Sequence, residues 1–305
     1  RLLEWGFGNG AVAWRVVFSD PCVACLSDAS MKVFACAAVG ATAAQKYPRG
    51  YVRSEQNELI EVLEITEEMR ASAPEEVDWS AKGATSPVKN QGHCGSCWAF
   101  STVEGIESAV YMATGKMPEL STQQVISCDR TDGGCDGGNI PSALRYVEQA
   151  GGLDSASDYP DTSYQSGHTG KCEWDKRETV KVTGYKYAVK PCHSGSCRDQ
   201  DEDGLAAALA RHGPVSICVN ANDLWDEYRG GVLSGSCSGA AKDQDHCVQL
   251  VGYNKKHGYW KVRNSWARSW GEEGFIRLPF GKNTCGVANE AVLISAAPEA
   301  VSVVV

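Results

Sequence analysis

The chain has 305 residues, of which 43% are hydrophobic and 22% charged, and its net charge is −9. This composition indicates a globular protein with a packed core and excludes a disordered or collagen-like chain. The negative charge argues against a nucleic-acid-binding protein, which needs a basic surface. The 14 cysteines are too many for a reducing cytosol unless they bind metal, so they favour an oxidising compartment.

Residues 1–44 have the composition of a leader rather than of a folded domain. Residues 1–30 begin without Met and show no sustained hydrophobic period, which favours a spurious or disordered extension. Residues 31–44 open with Met and Lys and continue as an apolar run with small residues in an A-x-A spacing. This pattern is typical of a secretory signal peptide, although an Ala-rich buried helix would look alike. The run is shorter than the roughly 20 residues that a membrane-spanning helix needs.

Residues 45–73 form a charged, helix-prone segment, which we interpret as a short propeptide remnant. The composition changes at Pro74, where a Gly- and Trp-rich region begins. We therefore place a boundary there and assign residues 74–305 to one mature domain.

The most informative motif is the run from residue 91 to residue 102, QGHCGSCWAFST. Ser96 is a candidate helix N-cap, and apolar residues then recur at three- and four-residue steps until Gly115. This pattern predicts a helix of about fifteen residues with Cys97 in its first turn. The partial positive charge of a helix start favours the thiolate, which is the reactive form of cysteine.

Three interpretations of the Cys94-Gly95-Ser96-Cys97 run compete. A redox C-x-x-C pair would need a preceding βαβ pattern, and a zinc site would need a second ligand pair; neither pattern is found. The third interpretation is a catalytic thiol at Cys97 beside a structural Cys94. The run matches C-G-[SA]-C-[WY], and the sequence here resembles the papain-like, cathepsin L-like cysteine proteases.

Two later blocks strengthen this resemblance. The block around His246, DHCVQLVGY, is similar to the histidine strand of that family, and the block YWKVRNSW, which contains Asn264, is similar to its asparagine segment. The similarity extends from residue 74 to about residue 295. Two features depart from the family: Ala267 replaces a glycine, and the long helical pro-segment is missing except for residues 57–69.

The resemblance implies a role for each residue of the site. Cys97 would attack the scissile carbonyl to form a thioester, and His246 would act as the acid and base. Asn264 would orient the imidazole, and Trp266 would shield their hydrogen bond from water. Gln91 would supply one oxyanion donor, although an exposed loop glutamine is the alternative.

The substrate-binding residues also follow from the resemblance. Gly137 and Gly138 are similar to the strip whose backbone pairs with an extended substrate. The pocket for the second residue before the cleavage site would be lined by Ile140, Cys218, Cys247 and Glu290. A carboxylate at Glu290 would let this pocket accept Arg as well as bulky apolar residues. The alternative is a Glu290 side chain that points into solvent.

Cys22, Cys25 and Cys36 precede the mature domain, and eleven cysteines follow Pro74. Without Cys97, ten remain for five disulfides. The family implies three pairs, and a local loop gives a fourth. We infer the fifth pair because both its cysteines align with one pocket wall, although two buried thiols would also fit. In this order, the expected pairs are Cys94–Cys135, Cys128–Cys172, Cys237–Cys285, Cys192–Cys197 and Cys218–Cys247.

The resemblance implies an α+β, papain-like two-lobed fold. A helical left lobe (about residues 83–187) would face a β-barrel-like right lobe (about residues 188–295), with the active-site cleft between them. The expected function is peptide-bond hydrolysis by a cysteine endopeptidase that needs no cofactor. No metal is expected, because neither His93 nor His193 has zinc-site spacing.

Two other functions stay open: a catalytically silent papain-fold binding or storage protein, and a thiol oxidoreductase that uses Cys94 and Cys97. The expected partners are polypeptide substrates, the chain's own propeptide and cystatin-like inhibitors, without nucleic acid or membrane, for a monomeric protein. The signal peptide predicts the secretory route, with a lysosomal, vacuolar or extracellular destination. No Asn-x-Ser/Thr glycosylation sequon occurs.

Overall fold

The computed structural model describes residues 46–53, 60–175 and 180–298. The predicted N-terminal extension, residues 1–30, and the predicted signal peptide, residues 31–44, lie outside this part of the chain. The helices of the described part fall short of the length and apolar character that crossing a membrane requires.

Helices dominate the first half of the described chain and strands the second. The helices are α1 (Glu67–Ser72), α2 (Cys97–Thr114), α3 (Thr122–Cys128), α4 (Ile140–Ala150), α5 (Ser163–Ser166), α6 (Glu202–His212) and α7 (Asp223–Asp226). The strands are β1 (Glu76–Asp78), β2 (Val180–Tyr187), β3 (Val215–Val219), β4 (His246–Asn254), β5 (Tyr259–Arg263), β6 (Phe275–Pro279) and β7 (Glu290–Pro298). This combination is the predicted α+β class.

Helix α2 has 18 residues and is longer than the sequence pattern predicts. It ends as expected at Gly115, whose φ of 72° is left-handed and suits glycine. Ser96 precedes the helix, but its side chain makes no capping hydrogen bond. The reason is its backbone, with φ −110° and ψ 18°, which departs from the extended geometry that lets an N-cap side chain reach back.

The strands form one antiparallel sheet in the order β2-β7-β3-β4-β5-β6, with β1 paired to β4. In the described chain the sheet is open, since the edge strands β2 and β6 do not pair with each other, and each has a single neighbour among the strands of the sheet, β7 and β5 respectively. The predicted barrel-like closure is therefore wrong. Closing a sheet requires a strand tilt and stagger that bring its edges together, and alternation along single strands does not encode them.

Two hydrophobic cores underlie the two lobes. One core joins α2, α3 and α4 and contains Trp98, Val103, Ile106, Ile126 and Leu144. The other joins the sheet to α6 and contains Leu205, Trp225, Trp260, Val262, Trp270 and Ile276. Helix α2 lies between them and packs closely on the sheet at Gly105. A Cβ atom there would come within 2.5 Å of the Ile294 and Ser216 side chains, so a larger residue at this position would force those side chains to move.

The predicted propeptide remnant, residues 45–73, is less helical in its described part than its composition suggests. Its described helix is limited to α1, and the preceding residues run extended beside β2. The Leu63 amide donates to the Tyr187 carbonyl at 2.8 Å, and the Tyr187 amide donates to the Glu61 carbonyl at 2.8 Å. Pairing with a strand satisfies the backbone hydrogen-bonding groups of this segment without a helix. The tertiary contact therefore overrides the local helix propensity.

Candidate active site

Cys97 is the first residue of α2 and has no exposed surface. It is the free cysteine of the described chain. Its neighbour Cys94 forms a disulfide with Cys135, so the C-x-x-C run does not hold a pair of free thiols. No group of three or more His, Cys, Asp or Glu in the described residues could hold a metal ion.

His246 opens β4 and lies beside the start of α2. Its Nε2 atom is 2.8 Å from Oδ1 of Asn264, which follows β5. The Trp266 ring stacks on the imidazole with 4.7 Å between centroids, and all three side chains are buried. The backbone amide of Cys247 faces the Cys97 thiol, which places the thiol next to the histidine strand. The second imidazole nitrogen, Nδ1, has no hydrogen-bond partner among the described residues.

Gln91 is fully buried at the start of the motif that leads to Cys97. Its Oε1 accepts a hydrogen bond of 2.7 Å from the Ser265 hydroxyl, which fixes the orientation of the amide. The Nε2 group donates to the carbonyl of Cys94 at 3.0 Å and to the carbonyl of Pro48 at 3.3 Å. The amide is therefore an oriented, buried donor that already holds a carbonyl oxygen.

The titration of the Cys97–His246 pair is dominated by burial. Burial raises the pKa of the Cys97 thiol to about 12, although nearby backbone amides oppose the shift. Burial likewise lowers the pKa of the His246 imidazole to about 3, against the contribution of Asn264. Both shifts disfavour the expected thiolate–imidazolium pair in this form of the protein. Loss of water around the charges outweighs the helix start, because a covered site cannot solvate an ion pair.

The predicted substrate residues are buried in the described structure. Gly137 and Gly138 are buried, and a Cβ atom on Gly138 would come within 2.7 Å of the Trp98 ring and of Asp132. The predicted pocket residues Ile140, Cys218, Cys247 and Glu290 are each at most 1% exposed. Glu290 thus lies inside the protein, not in solvent. Cys218 lies opposite Cys247 in the β3–β4 register, and the two form a disulfide.

The other disulfides of the described chain tie loops to the two lobes. Together with Cys94–Cys135 and Cys218–Cys247, the bonded pairs are those that the sequence analysis expects: Cys128–Cys172, Cys192–Cys197 and Cys237–Cys285. Ala267 has a φ of 68°, so the alanine that replaces a family glycine holds a left-handed turn.

Residues 46–53, which we call the strap, lie across the site. The Tyr47 ring stacks on Trp266 with 4.7 Å between centroids. The Gly50 carbonyl accepts from the Gly138 amide at 2.9 Å, and the Val52 amide donates to the Gly138 carbonyl at 2.8 Å. The strap therefore uses the same glycine backbone that the sequence analysis assigns to a substrate.

Charged side chains anchor the far end of the strap. Nη2 of Arg53 lies 3.4 Å from Oε1 of Glu290. Nε2 of His193, on the Cys192–Cys197 loop, lies 3.6 Å from the same oxygen. Arg53 also donates to the His193 carbonyl. The Glu290 carboxylate is thus in contact with both the strap and the disulfide loop.

The sequence analysis missed the strap and its anchors. It treated residues 45–73 as a helix-prone remnant, weighed His193 only as a zinc ligand, and did not consider Asp226 or Asp245. The basic residues Arg49 and Arg53 were a signal in the sequence, since both stand in one short run of a chain with a net negative charge. Their partners are distant in sequence, however, and only the fold brings them together.

The family model described as papain family cysteine protease matches residues 73–295. Among curated relatives, a cysteine proteinase of Trypanosoma brucei brucei is 39% identical over 79% of this chain and 51% of its own length. Cysteine proteinase 15A of Pisum sativum is 38% identical over 73% of this chain and 62% of its own length. The chain thus spans roughly half to three fifths of these relatives.

Solved structures with a similar fold include two proforms. The digestive procathepsin L2 proteinase from Tenebrio molitor larval midgut superposes with a TM-score of 0.71 and 33% identity, covering 82% of this chain and 78% of that one. The proform of Amb a 11, a ragweed pollen allergen and cysteine protease, gives 0.64 and 34%, covering 75% and 70%. The chain belongs to the papain family of cysteine proteases.

Proposed function

We propose that the chain is a cysteine endopeptidase that hydrolyses peptide bonds through Cys97. The observation that carries this proposal is the free Cys97 at a helix start beside a His246–Asn264 pair, with an oriented Gln91 amide nearby. A thiol, a base, a group that orients the base and an oxyanion donor are the parts that acyl transfer requires.

The chemistry proceeds in two stages once the cleft is open. The proton of Cys97 passes to His246, and the thiolate attacks the scissile carbonyl. The Gln91 Nε2 group and the Cys97 backbone amide stabilise the oxyanion. His246 then protonates the leaving amine, the C–N bond breaks, and a thioester remains. A water molecule that loses its proton to His246 attacks the thioester, and the acid leaves as the thiol is restored.

We propose that the strap keeps the chain inactive as a zymogen, with residues 45–73 acting as its propeptide. A productive substrate has its acyl residues before the scissile bond, so it would run from the Glu290 side of the cleft towards Trp266. The strap runs from Trp266 to Glu290, which is the opposite direction. Its peptide bonds therefore present the wrong group to Cys97, and the strap can fill the cleft without being cleaved.

The Glu290 pocket supports a mixed preference on the acyl side. Ile140 and the Cys218–Cys247 disulfide provide apolar walls, and Glu290 provides a buried charge that Arg53 satisfies in the strapped form. We expect substrates with Phe or Arg at the second residue before the scissile bond to be cleaved at neutral pH. Rejection of Arg at every pH would contradict this pocket.

The test of the proposed function identifies the nucleophile after the strap has been removed. The activated protein is incubated with a peptidyl epoxide, the labelled residue is mapped by mass spectrometry, and hydrolysis of a Phe-Arg amide substrate is followed. Label on Cys97 with hydrolysis, both lost in Cys97→Ser, supports the protease. Label or binding without hydrolysis indicates a silent relative. Disulfide reduction without hydrolysis indicates an oxidoreductase and refutes the proposal.

Cellular location and partners are part of the same proposal. Five disulfides in the described chain favour an oxidising compartment on the secretory route, with a lysosomal, vacuolar or extracellular destination. A cystatin-like inhibitor would enter the cleft that the strap occupies. We expect the protein to act as a monomer on polypeptide substrates, without a cofactor.

A further inference from the structure

The strap places a second arginine, Arg49, on the other side of Cys97 from the Glu290 pocket. Nη2 of Arg49 lies 3.2 Å from Oδ2 of Asp226, and its Nε lies 3.5 Å from Oδ2 of Asp245. The guanidinium lies over the Trp266 ring, 5.2 Å from its centroid, and Nε donates to the Ala221 carbonyl at 2.6 Å. The mature domain thus surrounds one guanidinium with two carboxylates, an aromatic face and a carbonyl.

The Asp226 carboxylate is directed at the strap. It is 5% exposed, and the contacts described for its two oxygens are with the Tyr47 amide at 3.3 Å and with Arg49. Both contacts disappear when the strap leaves. Asp245 differs, because its Oδ1 also accepts from the Ala221 amide at 2.8 Å and stays anchored. Removal of the strap therefore leaves at Asp226 a carboxylate that a new cation can satisfy.

The position of this site relative to the reaction follows from the strap itself. Arg49 directly precedes Gly50, whose backbone faces the Cys97 thiol. Val52 and Arg53 lie beyond it, on Gly138 and Glu290, which form the acyl side. Asp226, Asp245 and Trp266 are consequently on the side where the leaving amine departs, next to His246, which protonates it.

From this geometry we propose that Asp226, with Asp245 and Trp266, forms a specificity site for a basic side chain in the first two residues after the scissile bond. The inference deepens the proposed endopeptidase function and rests on it. Arginine is the preferred occupant, since a planar guanidinium can stack on Trp266 while its N–H groups reach both carboxylates. Lysine can satisfy one carboxylate but does not offer the flat face.

The test uses the mature enzyme and internally quenched peptides that share one acyl half, with Phe at the second residue before the scissile bond. The first and second residues after that bond are varied in turn among Arg, Lys, citrulline and Glu. Citrulline keeps the shape of arginine but has no charge. We expect kcat/KM to be at least about tenfold higher for Arg than for citrulline at one of these positions, and lowest for Glu. Equal values for Arg and citrulline at both positions would overturn the proposal.

Matched variants separate the local contact from the overall negative field. Asp226→Asn should lower the Arg-to-citrulline ratio severalfold, with Asp245 retaining the remainder. Asp223→Asn removes the same charge from the same short helix, but its side chain is 89% exposed, so the ratio should not change. Glu290→Gln should change acyl-side preference and leave this ratio unaltered. Equal effects of Asp223→Asn and Asp226→Asn would refute a local site.

The outcome for the specificity site is distinguishable from the outcome for the proposed function. An activated protein that cleaves none of the peptides refutes the endopeptidase itself. Cleavage of all peptides without an Arg preference refutes only the specificity site. If Asp226→Asn does not fold, the comparison of Arg with citrulline on the unaltered enzyme still decides, and increasing salt should reduce the Arg advantage.

Discussion

The Arg53–Glu290 contact should determine how often the strap leaves the cleft, and Arg53→Ala tests this. Two unit charges 3.4 Å apart attract by about 5 kcal/mol at an effective dielectric constant of about 20. Arg53 is 30% exposed, so solvent screens part of this attraction, while Glu290 is 1% exposed and loses a partner. We expect a net loss of about 2 kcal/mol in strap binding, which is roughly a thirtyfold increase in the open population.

The assay measures alkylation of Cys97 by iodoacetamide in the intact, unprocessed chain, quantified at the Cys97 peptide. When opening and closing are fast, the rate of alkylation follows the open population. Arg53→Ala should therefore be alkylated roughly thirty times faster than the unaltered chain. Adding Glu290→Gln to that variant should slow the reaction part of the way back, because no unpaired carboxylate is then buried under the strap.

Lys46→Ala is the matched control. Its ion pair with Asp223 joins side chains that are 78% and 89% exposed at a distance of 3.9 Å, so its removal should leave the alkylation rate unchanged. The reasoning is refuted if Arg53→Ala reacts as slowly as the unaltered chain, or if Lys46→Ala accelerates the reaction equally.

Three further predictions concern stability. Replacing both Cys218 and Cys247 by Ala should lower the free energy of unfolding by about 3 kcal/mol, because the disulfide closes a long loop. Urea denaturation measures this loss, and an unchanged midpoint would contradict the prediction. Arg263→Met should lower the free energy of unfolding by about 3–5 kcal/mol, because Glu104, its buried partner at 3.1 Å, would keep an unpaired charge. Adding Glu104→Gln should recover part of this loss, and additive losses would contradict the pairing. Burial and the adjacent Asp129 carboxyl raise the pKa of Asp132 to about 7. The folded state therefore keeps a proton that the unfolded state releases. The stability that this proton contributes is lost as the pH rises through 7. The stability of Asp132→Asn, measured as the urea midpoint, should therefore rise relative to that of the unaltered chain between pH 5 and pH 8. A constant difference between the two midpoints would refute the assignment.

The local motifs carried most of the prediction of the site. Cys97 and Gln91 stand in one run of sequence, and His246 and Asn264 lie in two recognisable blocks, so each residue could be named before the fold was known. The contacts between these residues depend on where β4 and β5 meet α2. The family resemblance implies that arrangement, whereas single-residue propensities do not.

The strap and the open sheet could not be predicted in the same way. Arg53 and Glu290 are 237 residues apart, and neither has a local pattern that points to the other. The closure of a sheet depends on tilt and stagger accumulated over all strands, so the alternation in β5 or β6 is compatible with an open or a closed form. Long-range side-chain pairing and global strand geometry are therefore the information that was missing.

The titration of the catalytic pair determines how many protons the pair holds before and after the strap leaves. In the strapped form, burial favours one proton on the Cys97 sulfur and a neutral His246 imidazole. The open thiolate–imidazolium pair of the proposed mechanism also holds one proton, now on the imidazole. Opening thus moves a proton inside the molecule without exchange with solvent. By linkage, strap release exchanges no proton with solvent at the catalytic pair wherever both forms hold one proton.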